Sequence, residues 1–454
     1  MKRFKINKSV LAVILTLAWP TMLEQLMHTA VQYIDTAMVG SLGTQATAAV
    51  GATTTVNWLV NSAISALGVG FLAYISQALG ANEKQRARLA VGQVVLTTLV
   101  TGLFFTVLTV CLSGVLPVWM QVDPEIQKLA SDYFLILYLP MLPRTASILF
   151  GTVLRAAGDT KTPMKVGLLT NMVNVVLNFF LIFPTRTVFG ITVPGAGLGV
   201  VGAAMASAIA FTVGGVYITL VLWQHPTISP KGQVILPDQN ILKPCLQVAL
   251  PNMLQRFATS LGYVAFAAMV NSIGDVATAA HTIANTVESA FYIPGYGMQA
   301  AAATLAGNAY GAKDEKRLKD TAAMFIPLVI VLMVVSGGLL FVFARPLVEL
   351  FSHSEQVISL GTTVLCMVAL SEPFFGVPII VEGMMQGVGK TKTPFVYNII
   401  GMWGVRIVGT FICTQLLDFG LVSAWACMIA HNLLLFVLYM ITYLRGRWNP
   451  MYGK

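Results

Sequence analysis

The chain has 454 residues, of which 56% are hydrophobic and only 10% charged, with a net charge of +9 and a mean hydropathy of +0.78. A soluble domain carries roughly 25% charged residues, so this composition excludes a water-soluble globular protein. The positive surplus does not indicate a nucleic-acid partner, because its distribution follows membrane sidedness, as set out below.

Taken in chain order, the first apolar run follows the basic residues Lys2, Arg3, Lys5 and Lys8. It contains Trp19-Pro20, Glu24 and Asp35 and has no small-residue cleavage pattern, so it reads as a retained span rather than a signal peptide. Apolar runs predict spans at 9–37, 47–79, 89–117, 124–154, 163–184 and 196–224. A polar, Pro-containing segment, 225–241, reads as a linker. Further spans follow at 242–271, 278–309, 319–350, 355–386, 394–416 and 419–444. Each is long enough to cross ~30 Å of hydrocarbon as a helix, and a helix satisfies its own backbone hydrogen bonds in lipid. The expected fold is therefore an all-α integral membrane protein of twelve transmembrane helices. Of the 27 Lys and Arg, only Lys128, Arg186 and Arg345 fall on one side of these spans. Arg144, Arg256 and Arg406 lie within spans, and all the others are on the opposite side. The positive-inside rule makes that side cytoplasmic and puts both termini there, in a multi-pass inner or plasma membrane protein.

The chain is also a duplication. At an offset of 231, Ala18-Trp-Pro-Thr-Met-Leu23 meets Ala249-Leu-Pro-Asn-Met-Leu254, and Gly158-Asp-Thr-Lys-Thr-Pro163 meets Gly389-Lys-Thr-Lys-Thr-Pro394. Ser41–Ala49 meets Ser272–Ala280 in the same register. Beyond a loop around Pro184 to Pro194 the offset falls to 221, where Gly199-Val-Val-Gly-Ala203 meets Gly420-Leu-Val-Ser-Ala424. This gives an N-lobe, 1–224, a cytoplasmic linker, 225–241, and a C-lobe, 242–454. With six spans per half the two lobes share one orientation, as a pseudo-twofold pair about the membrane normal.

Enzyme chemistry finds no support. Gly387-Val-Gly-Lys-Thr391 resembles the end of a phosphate-binding loop, but Met384 stands where that loop needs glycine. The five cysteines match no metal spacing and read as small apolar packing residues. The informative residues are the polar ones at bilayer depth, since an ionisable group there costs about 2.5–3.5 kcal/mol and marks a cavity or a pair. Glu24, His28, Gln32 and Asp35 share one helix face, as do Asn171, Asn174 and Asn178. Glu288, Tyr292, Tyr296 and Gln299 form a third stripe, broken by Pro294. Glu372, Glu382, Arg144, Arg256 and Arg406 complete the set. These stripes imply a shared wet interior. His28 and His281 read as satisfied core histidines, and Arg256 as a counter-ion to one of the acids or a snorkelling side chain. The duplication is an internal control: Asp35 faces Phe266, Asn174 and Asn178 face Val405 and Gly409, Glu288 faces Asn57, and Glu372 faces Met141. The scaffold thus accepts apolar residues at several of these positions, which favours a functional role for Asp35.

Several segments together resemble the multidrug and toxic compound extrusion (MATE) transporters, of the NorM- or DinF-like bacterial kind. They are Tyr33-Ile-Asp-Thr-Ala-Met-Val-Gly40, Leu79-Gly-Ala81, Leu154-Arg-Ala-Ala-Gly-Asp-Thr-Lys-Thr-Pro163, Asn174-Val-Val-Leu-Asn178, Pro294-Gly-Tyr-Gly297 and Tyr310-Gly-Ala312. The resemblance implies a V-shaped pair of six-helix lobes and no enzyme activity. It implies a monomer in membrane lipid that exports lipophilic cationic small molecules in exchange for Na⁺ or H⁺, with no other cofactor. It places the coupling cation at Asp35, Asn174, Asn178 and Ser207, with Na⁺ or a proton on the first three. Asn178 stands where some members carry a second acid, which removes a charge from that site. Glu24, His28, Gln32, Glu288, Tyr292, Gln299, Glu372, Glu382 and Arg256 are the expected substrate and cavity residues. A flippase for a lipid-linked saccharide or similar amphiphile is the alternative, and would call for a more basic cavity.

Overall fold

The computed structural model describes residues 8–452, so Lys2, Arg3 and Lys5 lie outside the described residues. Long apolar stretches without β-branched alternation form helices, and the polar turns between them set the ends. The first half runs α1 (Lys8–Gly40), α2 (Thr44–Gly80), α3 (Lys84–Leu112), a single turn α4 (Leu116–Trp119), α5 (Gln127–Tyr138), α6 (Met141–Ala156), α7 (Lys161–Leu181) and α8 (Gly199–Gln224). The second half runs α9 (Gln239–Asn271), α10 (Asp275–Gly311), α11 (Glu315–Glu349), α12 (Glu355–Gly387), α13 (Lys392–Ile399), α14 (Val408–Phe411) and α15 (Leu421–Leu444). Two π-helical stretches, Ile400–Ile407 and Ile412–Leu416, join α13 and α14 into one span, Lys392–Leu416.

These elements make twelve spans. Helices α5 and α6 are one span bent by 50°, with Pro140 and Pro143 at the break. Among the described residues, nine helices are apolar and long enough to cross a membrane on composition alone, and the bent pair makes ten. The other two, α9 and α10, have 33 and 37 residues. Their apolar runs are interrupted by polar side chains, including Asn252, Gln255, Arg256, Asn285 and Glu288.

The duplication is visible in the backbone. Gly43 and its partner Gly274 have φ of 115° and 140°, and Gly158 and Gly389 both have 85°. Asn82 and Lys313, at 61° and 55°, pair in the same way, as do Gly197 and Asp418, at 63° and 55°. Equivalent helices therefore end in equivalent left-handed turns. The loop expected around Pro184 to Pro194 is an antiparallel hairpin of β1 (Pro184–Val188) and β2 (Ile191–Ala196). Among the described residues the second half has no such hairpin, which accounts for the change of offset.

Packing cuts the chain differently from the repeat. Among the described residues, one compact unit contains 8–25, Leu72–Glu83 and 244–452; the other contains Leu26–Phe71 and Lys84–Lys243. Bare glycines explain why the start of α1 and the end of α2 pack within the first unit. A Cβ on Gly297 of α10 would lie 2.6 Å from the Met22 backbone, and Thr21 Oγ1 donates to Gly297 O at 2.8 Å. A Cβ on Gly80 would lie 2.0 Å from Asn308 O, and Gln77 Nε2 donates to Gly387 O at 2.9 Å. Close backbone approach through small residues is how helices associate where lipid removes the hydrophobic drive. In the other unit, the linker is strapped to α3. Gln93 donates to Leu236 O (2.7 Å) and accepts from Asp238 N (3.0 Å), while Arg88 Nε donates to Ser229 O (3.2 Å).

Candidate functional site

Asp35 lies one turn and a half from the end of α1, Asn174 and Asn178 one turn apart on α7, and Ser207 near the start of α8. All four belong to one packing unit, and they meet. Asn178 Nδ2 donates to Asp35 Oδ1 at 2.6 Å and to Asn174 Oδ1 at 3.1 Å, and Asn174 Nδ2 donates to Ser207 Oγ at 3.0 Å. Asn174 and Asn178 are buried, at 6% and 1% exposure, while Asp35 is half-buried. The i, i+4 spacing of the two asparagines is what turns both amides toward α1.

The Asn174 amide has two chemically sensible orientations. In one, its nitrogen serves Ser207 and its oxygen faces Asp35. In the other, its nitrogen donates to Asp35 Oδ1 and Oδ2 at 2.8 and 3.0 Å, and its oxygen accepts from Ser207 Oγ. The second suits an ionised carboxylate. The first sets an amide oxygen against two carboxylate oxygens, an arrangement that a carboxyl proton or a cation reconciles. Asn178 Oδ1 is buried without a hydrogen-bond partner. Two carboxylate oxygens, two amide oxygens and a hydroxyl are the hard donors that an alkali or alkaline-earth cation takes, so the residues fit such an ion. Among the described residues, no cluster of three or more His, Cys, Asp and Glu is arranged for a transition metal.

The rest of the α1 stripe does not join this cluster. Glu24 is half-buried in the other packing unit, and His28 and Gln32 are exposed. The expectation of His28 as a core histidine is corrected, because its side chain is exposed. In contrast, His281 is satisfied: Trp425 Nε1 donates to its Nδ1 at 3.2 Å.

Glu288, Tyr292, Gln299, Glu372, Glu382 and Arg256 all belong to the unit that holds the second half, but they do not form one site. Glu372 and Glu382 are ten residues apart on α12, about 15 Å along the axis. Glu382 is tied into a saturated network. Its Oε1 accepts from Gln255 (2.8 Å) and Gln386 (3.1 Å), and its Oε2 from Tyr439 (3.3 Å) and Asn398 (3.4 Å). Arg256 lies within electrostatic reach but gives its Nε to Asn252 Oδ1 at 3.0 Å. Through these bonds Glu382 joins α9, α12, α13 and α15. The neighbour of the expected residue, Gln255, makes the contact. Tyr292 packs edge-on against Tyr296 and Phe375, and Gln299 flanks the contact with Gly383.

Glu288 and Glu372 are buried, at 6% and 1% exposure, in mutual electrostatic contact, and Glu372 Oε2 has no hydrogen-bond partner. Arg406, 4% exposed, acts on Glu288 and stacks over Phe266 (4.2 Å) and Tyr263 (5.0 Å). Phe266 is the repeat partner of Asp35. Where the first half has a carboxylate, the second thus has a ring under a tethered guanidinium. The π-helical stretch explains why Arg406 and not Val405 is buried: one extra residue per turn rotates the following side chains by about a third of a turn. The first half uses its own arginine at the partner of Glu288. Arg144 donates to Asn57 and, at 3.1 Å, to Asn61, and stacks on Phe211 at 4.6 Å. Buried His431, admitted by Gly401, was not among the sequence candidates; nothing in the spacing of α15 marks it.

Comparison with known proteins matches this chain to one family model, MatE, over residues 20–180 and 251–412. The two matched blocks begin at repeat-equivalent positions. The chain is 27% identical, over 96% of its length and 92% of the relative's, to a probable multidrug resistance protein NorM of Thermotoga maritima. It is 25% identical to a probable multidrug resistance protein YoeA of Bacillus subtilis, over 89% of this chain and 87% of that one. Among solved structures it resembles an outward-facing multidrug resistance MATE transporter of the MOP superfamily. The TM-score is 0.89 at 22% identity, covering 99% of this chain and 100% of that one. A MOP superfamily transporter from Pyrococcus furiosus, described by the reverse polarity of its binding pocket, gives a TM-score of 0.86 at 22% identity, covering 99% and 100%.

Proposed function

The chain belongs to the MatE family, and from that membership and the Asp35 site we infer that this multi-pass membrane transporter, which is not an enzyme, is a secondary active antiporter. It exports cationic lipophilic compounds in exchange for Na⁺ or H⁺ by alternating access, as a monomer in the inner or plasma membrane with its basic loops cytoplasmic. The multidrug resistance names of its relatives support the substrate class. The observation that carries the reading is the Asp35 carboxylate, held by Asn178 at 2.6 Å and facing the Asn174 amide.

The chemistry follows from the two amide orientations. An ionised Asp35 takes hydrogen bonds from both asparagines. A proton or Na⁺ on Asp35 turns the Asn174 oxygen inward and its nitrogen to Ser207, so ion occupancy in α1 is read out on α8 through α7. A ligand shifts a conformational equilibrium only by its differential affinity for the two states, and this rearrangement supplies such a difference. Glu288 and Glu372 offer the negative charge that attracts a cationic substrate.

The test is transport in liposomes under an imposed Na⁺ gradient, then a pH gradient, at clamped voltage, with ethidium as the probe. Movement driven by one gradient and lost in Asp35→Asn supports the antiporter and names its ion. Movement unaffected by Asp35→Asn refutes the coupling role. Buried, incompletely bonded Arg406 is the observation that favours the rival amphiphile flippase. Folded protein that moves no ethidium under either gradient, yet moves a lipid-linked phosphosaccharide analogue, establishes that reading instead.

A further inference from the structure

The span that carries Arg406 ends in a second feature that the transport reading leaves unused. Cys413, in the π-helical stretch Ile412–Leu416, and Cys427, on α15, bring their Sγ atoms to 3.9 Å. Both are half-buried. Their room is made by Gly409, where a Cβ would sit 3.1 Å from Cys427 Sγ. Gly409 is the repeat partner of Asn178, so the dithiol lies beside the second-half counterpart of the Asp35 site, where the first half has Ile182 and Ala206.

We propose that Cys413 and Cys427 are a disulfide-forming pair, a reversible covalent staple between the last two spans. A disulfide needs the sulfurs at about 2.05 Å. Closing 3.9 Å to that distance requires side-chain rotation at two adjacent helices already in contact, with no change in helix order. The connection between those spans is only Leu417 to Gly420, which holds the two helix ends together. The pair lies at the end of the helical hairpin opposite the basic residues Lys390, Lys392, Arg445 and Arg447. Cys413 is three residues from the end of its span and Cys427 six from the start of its own, within about 9 Å of the helix ends. An apolar oxidant dissolved in the membrane edge therefore reaches them. The oxidant class is a small disulfide. One cysteine thiolate attacks it, releasing one thiol and leaving a mixed disulfide; the second cysteine then attacks the protein sulfur and releases the other thiol. Two protein thiols are oxidised and one small disulfide is reduced. A cysteine without a neighbour stops at the mixed disulfide.

The test is to treat the folded protein in detergent with 4,4′-dithiodipyridine, then digest it and map the peptides by mass. The expected result is a Cys413–Cys427 linked peptide, two hydrogens lighter than the reduced peptides and free of pyridylthio adduct. In Cys413→Ser, Cys427 carries the adduct instead, and a phosphine reductant restores both thiols in the native protein. Adducts on both Cys413 and Cys427 of the native protein, or both thiols left unmodified while Cys111 reacts, overturn the proposal. The native-protein map decides it even if a variant fails to fold, and the result is independent of whether the chain proves to be an ion-coupled exporter.

Discussion

Asp35→Asn separates the fold of the candidate site from its chemistry. Asparagine keeps the size of aspartate and an oxygen for the Asn178 amide, now 2.6 Å from Asp35 Oδ1. Its NH₂ faces Asn174, whose oxygen is free to turn inward while its nitrogen bonds Ser207, 3.0 Å away. Every hydrogen bond of the cluster has a neutral replacement, so the intrinsic stability should change by less than about 1 kcal/mol. What disappears is the ion. A ligand at 100 times its dissociation constant stabilises the state it binds by about 2.7 kcal/mol, and this gain should be absent in Asp35→Asn. Asp35→Ala should behave differently. It leaves one N–H of the buried Asn178 amide, 1% exposed, without its acceptor, the other still bonding Asn174, and should cost a further ~1–3 kcal/mol. The assay is thermal unfolding in detergent against Na⁺ concentration at constant ionic strength, and against pH, for the three proteins. An ion-induced shift that persists undiminished in Asp35→Asn would refute the assignment of the ion to this cluster.

Four further outcomes are expected. Gly387→Ala places a Cβ 2.0 Å from Ala303 O and must part α10 from α12; it should lower stability by roughly 1–3 kcal/mol, whereas Gly338→Ala, with open space around its Cβ, should not, as a melting comparison will show. Arg144→Met strands the Asn61 oxygen it bonds at 3.1 Å, while Asn57 keeps Tyr138; the cost of about 1–3 kcal/mol should be mostly recovered in Asn61→Leu/Arg144→Met, a coupling that a double-mutant cycle measures. Gln93→Leu removes two of the hydrogen bonds that hold the linker to α3 and should speed proteolysis within 225–241 while leaving the spans intact. Burial holds the His225 imidazole below its ordinary value of 6.5, against the opposing charge of Asp159. Its neutral form is thus favoured on folding, so its contribution is present above about pH 6.5 and lost as pH falls below it; amide exchange at Thr227 and Ile228, which donate to its Nδ1, should rise below that pH and not in His225→Asn.

Length, hydropathy and the repeat at offset 231 determined that this is a twelve-span membrane protein built twice, since each depends on local composition and chain order. Left-handed residues recur at equivalent turns because equivalent sequence makes equivalent turns. The α7 stripe was legible too: Asn174 and Asn178 must share a face at a spacing of four, and the family resemblance put Asp35 and Ser207 beside them. Other features were decided only by tertiary structure. Sequence counts Glu382 and Glu372 alike as buried acids. Only the packing of α9, α13 and α15 around Glu382 saturates the first, while Glu372 keeps a bare oxygen. The repeat at offset 231 made Val405 the partner of Asn174, yet the π-helical stretch buries Arg406 instead, since one inserted residue rotates everything beyond it. The repeat boundary did not reveal that α1 up to Gln25 packs with the second half. That grouping depends on which backbones approach closely at glycines such as Gly297, and close approach between segments far apart in sequence leaves no local periodic signal.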